Sequence, residues 1–560
     1  MNINNNIQDL PYLLISKILS FKELTVLDSI CFSLTSKKLY NNRDKYLIFN
    51  DHQLTHAKAQ LIYNRSNHVT LRSYTKQFQQ ISDIQSCKLL ICDHQTSLKK
   101  EYTNLYDYTI DITNMKNTDN LSEKIPLNVK CIHVLNWSDD CIFNISDSSI
   151  SELFIVTGNK LKIISGSLPN TLEKITIYNR LNDYVLPNSV RTMKFDCRNQ
   201  QFISGLFPQS LESLELAMHL HPLVENSLPN LKSLHLSSYN PTSIVNIGNL
   251  PTSLQTLVFE YGYFGRIENI SAISQFQRLT TIEGCRLEWV ASLPPSVTSL
   301  KFSACFQDTN NIEPGVIPST ITNLYFADIG KVKLQSGSIP SSVRKLTILG
   351  YKYDLEAGVI PIGVKEFYIL LRSAIFTVEC IPSTVESLKI TIFLNCHRFK
   401  SVDLHSLPSI KKLSLGIRNT KISKFPPNLE SLKFKLSGDA ELLYSSLPST
   451  LKELTLIYTK LIIDSWNVGA HHQPKRLIMK VDSFYFNENR LEDLPISVEI
   501  VKISNAEFRR CNSSCLFIGH NREYPVNGGF IESTEQLRDL LYYKVLERNI
   551  NNHLISSFIT

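Results

Sequence analysis

One short phrase, which the chain repeats, decides the fold. Residues 165–177 read SGSLPNTLEKITI and residues 336–348 read SGSIPSSVRKLTI, with seven of thirteen positions identical. The proline of this phrase recurs, followed each time by an aliphatic residue and then by L-x-L, L-x-F or I-x-I. These anchors are Pro126, Pro169, Pro187, Pro208, Pro229, Pro251, Pro294, Pro318, Pro340, Pro361, Pro382, Pro408, Pro426, Pro448 and Pro495. Degenerate copies near Asp147, Gln277 and Pro474 bring the array to about eighteen units, spaced by about 21 or 22 residues.

A single unit of this size cannot fold by itself. Ordering its backbone costs roughly 1 to 2 kcal/mol per residue. Its few apolar side chains return only about 1.5 to 3 kcal/mol each when they are buried. Stacked units cover each other's apolar edges, so the repeat predicts a solenoid whose stability is a sum of contacts between neighbours.

Each unit predicts one short strand and one tight turn. Ile175 and Ile177 alternate with Thr176, which is typical of a strand with one buried face. Connections of about fifteen residues are too long for hairpins, so successive strands should be parallel. Three residues before the proline the chain places residues that tolerate positive φ, which predicts a left-handed turn. They are Gly166, Gly205, Asn226, Gly248, Gly315, Gly337 and Gly358.

The pattern [GNAS]-x-[LIF]-P-x-[ST]-[LV]-x-x-[LI]-x-[LIF] resembles the FNIP repeat, which is a leucine-rich-repeat-like unit. The resemblance covers residues 121–505. It implies an α/β-type repeat solenoid that is dominated by short parallel strands. We expect a small helical module before the solenoid and a helix after it.

The first fifty residues carry a different signal. The stretch LPYLLISKILSF, Leu10–Phe21, has apolar residues at helical spacing and a proline at its start. It resembles the opening of an F-box, usually written L-P-x-E-[LIV]-L-x-x-I-L-S-[YF], and SLTSKKLY at residues 33–40 resembles its later segment. Leu13 stands where the motif usually has an acid. The alternative is an amphipathic N-terminal cap of the solenoid.

The F-box resemblance implies a function. F-box proteins tether a target-binding domain to the Skp-type adaptor of a cullin ubiquitin ligase, and the repeats would choose the target protein. The expected adaptor-binding residues are Leu10, Pro11, Leu14, Ile18 and Leu19. The rival interpretation is a non-enzymatic protein-protein interaction scaffold that has no ubiquitin role.

The remaining segments are predicted to cap the array. Residues 51–120 should form an irregular entry cap, because solenoids need covered ends. Residues 506–560 should form a C-terminal cap with a helix in STEQLRDLLYYKVLERN, which begins with a capping-box pair, Ser533 and Gln536.

Composition favours a chain without catalytic, metal or cofactor sites. The net charge of +7 on 560 residues is small for a nucleic-acid-binding protein, and no apolar run reaches membrane-spanning length. Neither CNSSCLFIGH nor CKLLICDH has the paired C-x-x-C of a structural zinc site. MNINNNIQ is not a signal peptide, and the twelve cysteines are scattered, so we expect reduced thiols and a cytoplasmic or nuclear location.

The outward face of the strands is the expected target-binding surface. The middle strand position forms a column, because the same position in successive units stacks about 4.8 Å apart. This column reads Lys301, Tyr325, Thr347, Tyr368, Lys389, Ser414 and Lys433. Leu349 and Leu370 flank it, and Lys345, Lys412 and Lys435 lie beside it. Outward tyrosines with lysines would suit an acidic or phosphorylated target segment, although ordinary solvated strand residues would give the same pattern.

Overall fold

The computed structural model describes residues 10–21, 24, 26–47, 74, 87–92, 108–111, 121–127, 129–135, 143–156, 163–178, 186–196, 201–219, 221–260, 263–302, 311–329, 332–372, 377–392, 401–417, 421–436, 441–458, 460–462, 474, 476–482, 490–503, 506–511, 516–521 and 528–541. The chain divides into two compact units. The array unit comprises Ser86–Lys400 and Ser406–Ile410. The terminal unit comprises Met1–Gln85, Ser401–His405 and Lys411–Thr560, so it contains both ends of the sequence.

The array unit is a ladder of short strands. Its strands are β1 (Cys87–Cys92), β2 (Tyr108–Asp111), β3 (Val129–Leu135), β4 (Glu152–Val156), β5 (Lys174–Ile177), β6 (Thr192–Asp196), β7 (Ser213–Ala217), β8 (Ser233–Ser237), β9 (Ile244–Asn246), β10 (Thr256–Phe259), β11 (Arg266–Glu268), β12 (Thr281–Cys285), β13 (Ser299–Phe302), β14 (Asn323–Phe326), β15 (Lys345–Tyr351), β16 (Glu366–Leu371) and β17 (Ser387–Ile392). From β3 to β17 each strand pairs in parallel with the next, except that β9 and β11 form a separate parallel pair. At the start of the ladder, β1 lies between β2 and β3. The predicted solenoid of parallel strands is confirmed.

The terminal unit combines helices with a second ladder. Its helices are α1 (Tyr12–Leu19), α2 (Val26–Ser33), α3 (Lys37–Asn41) and α4 (Thr534–Leu541). Its strands are β18 (Ser401–Asp403), β19 (Lys412–Ile417), β20 (Lys421–Lys424), β21 (Ser431–Leu436), β22 (Glu441–Leu443), β23 (Glu453–Ile457), β24 (Lys460–Ile462), β25 (Leu477–Val481), β26 (Val498–Ile503), β27 (Ala506–Arg510), β28 (Phe517–Asn521) and β29 (Gly528–Ile531). Strands β19, β21, β23, β25 and β26 pair in parallel, as the repeat predicts.

After β26 the pairing changes to antiparallel. Strands β26, β27, β28 and β29 form a meander in chain order. Only two residues separate β26 from β27, and a connection this short joins antiparallel neighbours. The sequence reading expected a C-terminal cap with a helix and did not foresee these strands.

The helix at the C-terminal end begins where the capping pattern predicts. The Gln536 N–H donates to Ser533 Oγ at 3.3 Å, which is the first half of a capping box. Gln536 Oε1 accepts the N–H of Glu532 at 2.8 Å rather than that of Ser533. Leu546, the last apolar position of the predicted helix, lies outside the described residues.

The anchor phrase builds a turn that joins neighbouring units. The Val343 N–H donates to the carbonyl of Pro340 at 3.1 Å, which closes a β-turn at the anchor. The hydroxyl two residues after the proline donates to a carbonyl of the preceding unit, as Ser342 does to Ile321 at 2.7 Å. The same bond is made by Thr171, Ser210, Ser253, Ser296, Thr384 and Thr450. The serine or threonine of the pattern therefore connects adjacent units, a role that sequence reasoning missed.

The predicted left-handed turns are confirmed at all but one position. Positive φ is found at Gly166, Gly205, Asn226, Gly315, Gly337 and Gly358. Gly248 was wrongly predicted, because it lies in a 3-10 helix, Ile247–Asn249. Its N–H donates to the side chain of Asn246 at 2.9 Å, and this bond holds the local chain in a different turn.

Of the predicted entry cap, KLLICD largely coincides with β1. Within the predicted cap the sequence also favours a helix in QLTHAKAQLIYN, which lies outside the described residues, and a strand in HVTLRSY, of which only Tyr74 is described.

Candidate interaction surfaces

The N-terminal helices share one small hydrophobic core. Its buried members are Ile15, Leu19, Leu27, Ile30, Leu39, Tyr46, Leu47, Tyr74 and Ile518. Polar bonds fix the geometry around it: the Leu39 N–H donates to Ser36 Oγ at 3.1 Å, and Tyr46 donates to the Leu39 carbonyl at 3.0 Å. Ser36 is therefore the N-cap of α3.

This core takes in two of the expected adaptor-binding residues. Leu19 is buried in it, and Leu10 packs against it while partly buried. Leu19 is therefore not available on the surface and supports α1 from beneath. The periodicity of the stretch identified Leu19 as apolar but could not tell which side of the helix would be covered.

The opposite side of α1 leaves large apolar side chains in solvent. Leu14 is 48% exposed, Ile18 is 37% exposed and Phe21, just after the helix, is 61% exposed. Leu14 and Ile18, four residues apart, lie on one face of α1, and Phe21 follows just past its end. We call these three residues the α1 stripe. Leu13, beside the stripe, is 82% exposed. Contiguous exposed apolar side chains of this kind mark interaction sites.

A charged cluster joins α2 to β27 within the terminal unit. Asp28 on α2 forms an ion pair with Arg509. The Nε and Nη2 atoms of Arg509 each donate to Glu507 Oε1 at 3.1 Å, and Lys502 lies 3.1 Å from Glu507 Oε2. Glu507 is buried, so it depends on these cations. Burial also raises the pKa of the nearby Cys31 thiol to about 11, although the Arg509 guanidinium acts in the opposite direction.

Five of the seven residues of the predicted column stack in the array unit. Lys301, Tyr325, Thr347, Tyr368 and Lys389 are register partners on successive strands from β13 to β17. The flanking residues Leu349 and Leu370 are also paired. Both tyrosines and both leucines are half-buried, whereas Thr347, between the tyrosines, is buried. The larger neighbouring rings therefore dominate the surface here.

The lysines in and beside this column are engaged by neighbouring side chains in the array unit. Lys301 lies 2.8 Å from Glu283 and Lys345 lies 3.1 Å from Glu366. The Lys389 ammonium lies 3.8 Å from the centroid of the Tyr368 ring, which is a cation–π contact. Sequence reasoning counted the lysines and overlooked Glu283 and Glu366, although each glutamate stands on the strand next to its lysine.

The remaining lysines of the predicted surface belong to the terminal unit. Lys412 and Lys433 are exposed on β19 and β21, where they pair in register with Ser431 and Ser414. Lys435 is also exposed and pairs with Gly416. In the described register of β19, β21 and β23, none of these lysines has an aromatic partner, unlike the column of the array unit.

The terminal unit also contains a cavity of about 500 Å³. It is lined by Arg476, Ile496, Glu499, Ile500, Arg509, Arg510 and Cys511. Its arginines are held by the protein: Arg476 donates to Glu499 at 2.7 Å, and Arg510 donates to the carbonyls of Leu494, Pro495 and Val498 at 2.9 to 3.2 Å. These bonds fix the turn at the Pro495 anchor.

The described residues contain no metal-binding cluster. Among them, no three His, Cys, Asp or Glu side chains lie together in a way that could hold an ion. Five of the six candidate ligands named from the sequence have side chains outside the described part: Cys87, Cys92, His94, Cys515 and His520. No helix among the described residues is long and apolar enough to cross a bilayer.

A buried histidine in the array unit was not singled out from the sequence. His219 is buried, and its Nε2 atom lies 3.3 Å from the Tyr263 hydroxyl. Burial lowers the pKa of His219 to about 4. The side chain is therefore neutral in the folded protein at ordinary pH.

Comparison with known proteins gives one family and several distant structures. The FNIP Repeat family matches residues 178–217 and 290–328. CroV588, described as a novel circular LRR protein, is 18% identical over 69% of this chain and 68% of its own, with a TM-score of 0.45. The internalin inlF from Listeria monocytogenes is 16% identical over 62% of this chain and 87% of its own, with a TM-score of 0.27. The APL1 leucine-rich repeat domain is 13% identical over 75% of this chain and 99% of its own, with a TM-score of 0.24.

A search of curated proteins gives no match. The two matched segments lie within the parallel ladder of the array unit, across β6 and β7 and across β13 and β14. The chain is therefore a repeat protein in which two segments, residues 178–217 and 290–328, are similar to the FNIP repeat.

Proposed function

We propose that this chain is the substrate-recognition subunit of a Skp-cullin-F-box type ubiquitin ligase. The N-terminal helices bind the Skp-type adaptor, and the repeats bind the target protein. The observation that carries the proposal is the α1 stripe, Leu14, Ile18 and Phe21, which leaves a row of apolar side chains in solvent beside a complete core. All three of these residues occupy apolar positions of the F-box pattern.

Co-purification tests this role. Replacing Pro11 and Ile18 with glutamate places charge on the proposed surface, so the Skp-type adaptor should no longer co-purify with the full chain. Both residues are exposed, so circular dichroism should report an unchanged repeat array. A matched control is Leu127→Glu, because Leu127 is an isolated leucine that is 86% exposed in a repeat turn. If the Skp-type adaptor does not co-purify with the unmutated chain, the proposed ligase role is refuted.

A repeat scaffold without a ubiquitin role is the second candidate. One observation favours it: the N-terminal helices share their core with Ile518 of β28, as an end cap of the ladder would. A cap needs no exposed apolar row, whereas an adaptor-binding helix does. The co-purification experiment therefore separates the two functions.

For the target, the best-supported surface is the part of the column in the array unit that contains Tyr325 and Tyr368, together with the flanking residues Leu349 and Leu370. Tyrosines and aliphatic side chains that are half-exposed on a rigid sheet are suitable anchors for a partner chain. Lys389 supplies a positive charge at the edge of this column, which suits an acidic or phosphorylated residue of the target. Lys301 and Lys345 contribute less charge because each faces a glutamate. The exposed Lys412 and Lys433 stay in the hypothesis as a separate basic region of the terminal unit.

Charge reversal tests the target surface. Tyr368→Ala combined with Lys389→Glu and Lys433→Glu should remove bound targets while adaptor binding is retained. The control variant Lys130→Glu reverses another exposed lysine in the array unit, outside the column. Partners are captured with the full chain under proteasome inhibition and identified by mass spectrometry. If the triple variant captures the same partners as the control, the surface lies elsewhere.

A further inference from the structure

The N-terminal helices are too small to maintain their own fold. Helices α1 and α2 have eight residues each and α3 has five. Isolated helices shorter than about 12 to 15 residues are marginal in water. Chains below about 40 residues usually need a metal, a disulfide or a partner to fold. The helices between residues 12 and 41 therefore require an external surface to complete their core.

The C-terminal strands supply part of that surface. Ile518 on β28 is buried in the same core as Ile15 and Leu19, the two inward residues of α1. Ile518 therefore belongs to the core on which the helix that carries the α1 stripe is packed. The sequence places these residues at opposite ends of the chain, yet they contribute to one core.

The ion pair between Asp28 and Arg509 fixes α2 at the same junction. Arg509 is also held by two bonds to Glu507, which orient its guanidinium toward the helices. Glu507 is buried, so its charge is stable only with Arg509 and Lys502 in place. Helix α2 therefore docks on a charged site formed by Lys502 on β26 and by Glu507 and Arg509 on β27.

We infer that Ile518 and Arg509 are positioning residues for the adaptor-binding surface, and that the α1 stripe acquires its binding shape only when the β27–β28 hairpin has formed. This inference rests on the proposed function. Its consequence concerns synthesis: residues 14–21 are made early, but their supporting core is completed only after residue 518. A chain that stops before the hairpin would not recruit the ligase, so adaptor loading would report on a completed repeat array.

Hydrogen exchange of the full chain tests the inference without any adaptor. Ile518→Ala should increase the exchange rates of α1 and α2 amides at least tenfold, because it removes a buried contact from their shared core. Ile282→Ala is the matched control, since Ile282 is equally buried but lies on β12 of the array unit. The control should leave exchange in α1 and α2 unchanged. Protection of β19 to β23 should persist in Ile518→Ala, which shows that the repeats of the terminal unit remain folded.

A milder variant keeps the inference testable if Ile518→Ala unfolds the whole terminal unit. Asp28→Asn removes one charge of the junction and leaves the Arg509–Glu507 contact intact. It should increase exchange in α1 and α2 severalfold. It should also speed alkylation of Cys31, measured by peptide mass spectrometry, because opening of the junction further exposes the partly buried thiol.

Two outcomes separate this inference from the proposed function. If neither variant changes exchange in α1 and α2, the helices fold without the hairpin and the inference is overturned. If exchange rises as expected but the parent binds no adaptor, the positioning of the helices is supported and the ligase role fails. If the parent does bind adaptor, Ile518→Ala should reduce that binding and Ile282→Ala should not.

Discussion

Replacing Gly337 with valine should destabilise the local repeat by about 2 kcal/mol. Gly337 has φ of 86°, a conformation that costs an L-residue roughly 1 to 2 kcal/mol. An added Cβ would lie 3.1 Å from Cβ and 3.5 Å from Cγ of Pro314, so the proline ring or the turn must shift. A β-branched side chain leaves few rotamers to relieve this contact, so we place the total near the upper end of the conformational cost.

Native-state hydrogen exchange measures this loss at the repeat itself. The N–H groups of Ser338 and Val343 close the turns around Gly337, bonding to the carbonyls of Gln335 and Pro340. Their exchange should speed by about 30-fold, which corresponds to about 2 kcal/mol. Thermal unfolding gives an independent midpoint for the same variant.

Two matched variants separate conformation from contact. Gly166 occupies the same place in the other copy of the phrase, with φ of 80° and no atom within 4 Å of an added Cβ, so Gly166→Val should lose only the conformational part. Gly337→Asn should cost less than Gly337→Val, because Asn226 adopts positive φ at the equivalent turn. Exchange rates and midpoints that are equal for Gly337→Val and the parent would refute the reasoning.

Two further predictions concern groups that hold the ladder together. Ser342→Ala removes the hydroxyl bond to the Ile321 carbonyl and should cost about 1 kcal/mol, whereas Ser341→Ala, at the exposed neighbouring serine, should leave the denaturation midpoint unchanged; equal losses would contradict the linking role. His219 should make the protein less stable as the pH falls. Its pKa is about 4 in the folded chain and near 6.5 in the unfolded chain, so the unfolded chain takes up the proton first as the pH falls from 6.5 to 4. The loss should approach about 3 kcal/mol at pH 4, and denaturant titrations of His219→Phe should show a smaller pH dependence than those of the parent.

The sequence predicts the ladder well because its signals are local. A proline anchor, a β-branched alternation and a glycine at fixed offset each act within one unit, and the same short-range geometry then repeats. Gly248 shows the limit of that logic, since the side chain of Asn246 provides an alternative turn that the glycine position alone does not reveal.

What the sequence could not predict depends on contacts between distant residues. The link between Asp28 and Arg509 and the burial of Ile518 under α1 join the two ends of the sequence. The ion pair between Lys301 and Glu283 follows from the register of adjacent strands. The repeat spacing implies that register, but the sequence prediction considered only the lysines. Leu19 and Leu14 are both apolar, and only the packed core distinguishes the buried residue from the exposed one.

The most direct test of the proposed function is a calorimetric titration of the purified full chain with a purified Skp-type adaptor. We expect a one-to-one complex that is lost in the double variant Leu14→Glu with Ile18→Glu. We also expect Leu13→Glu to bind like the parent, although Leu13 is the more exposed of the two neighbouring leucines, because the F-box pattern has an acid at that position. An absence of binding by the parent chain, or an unchanged affinity in the double variant, would contradict the account.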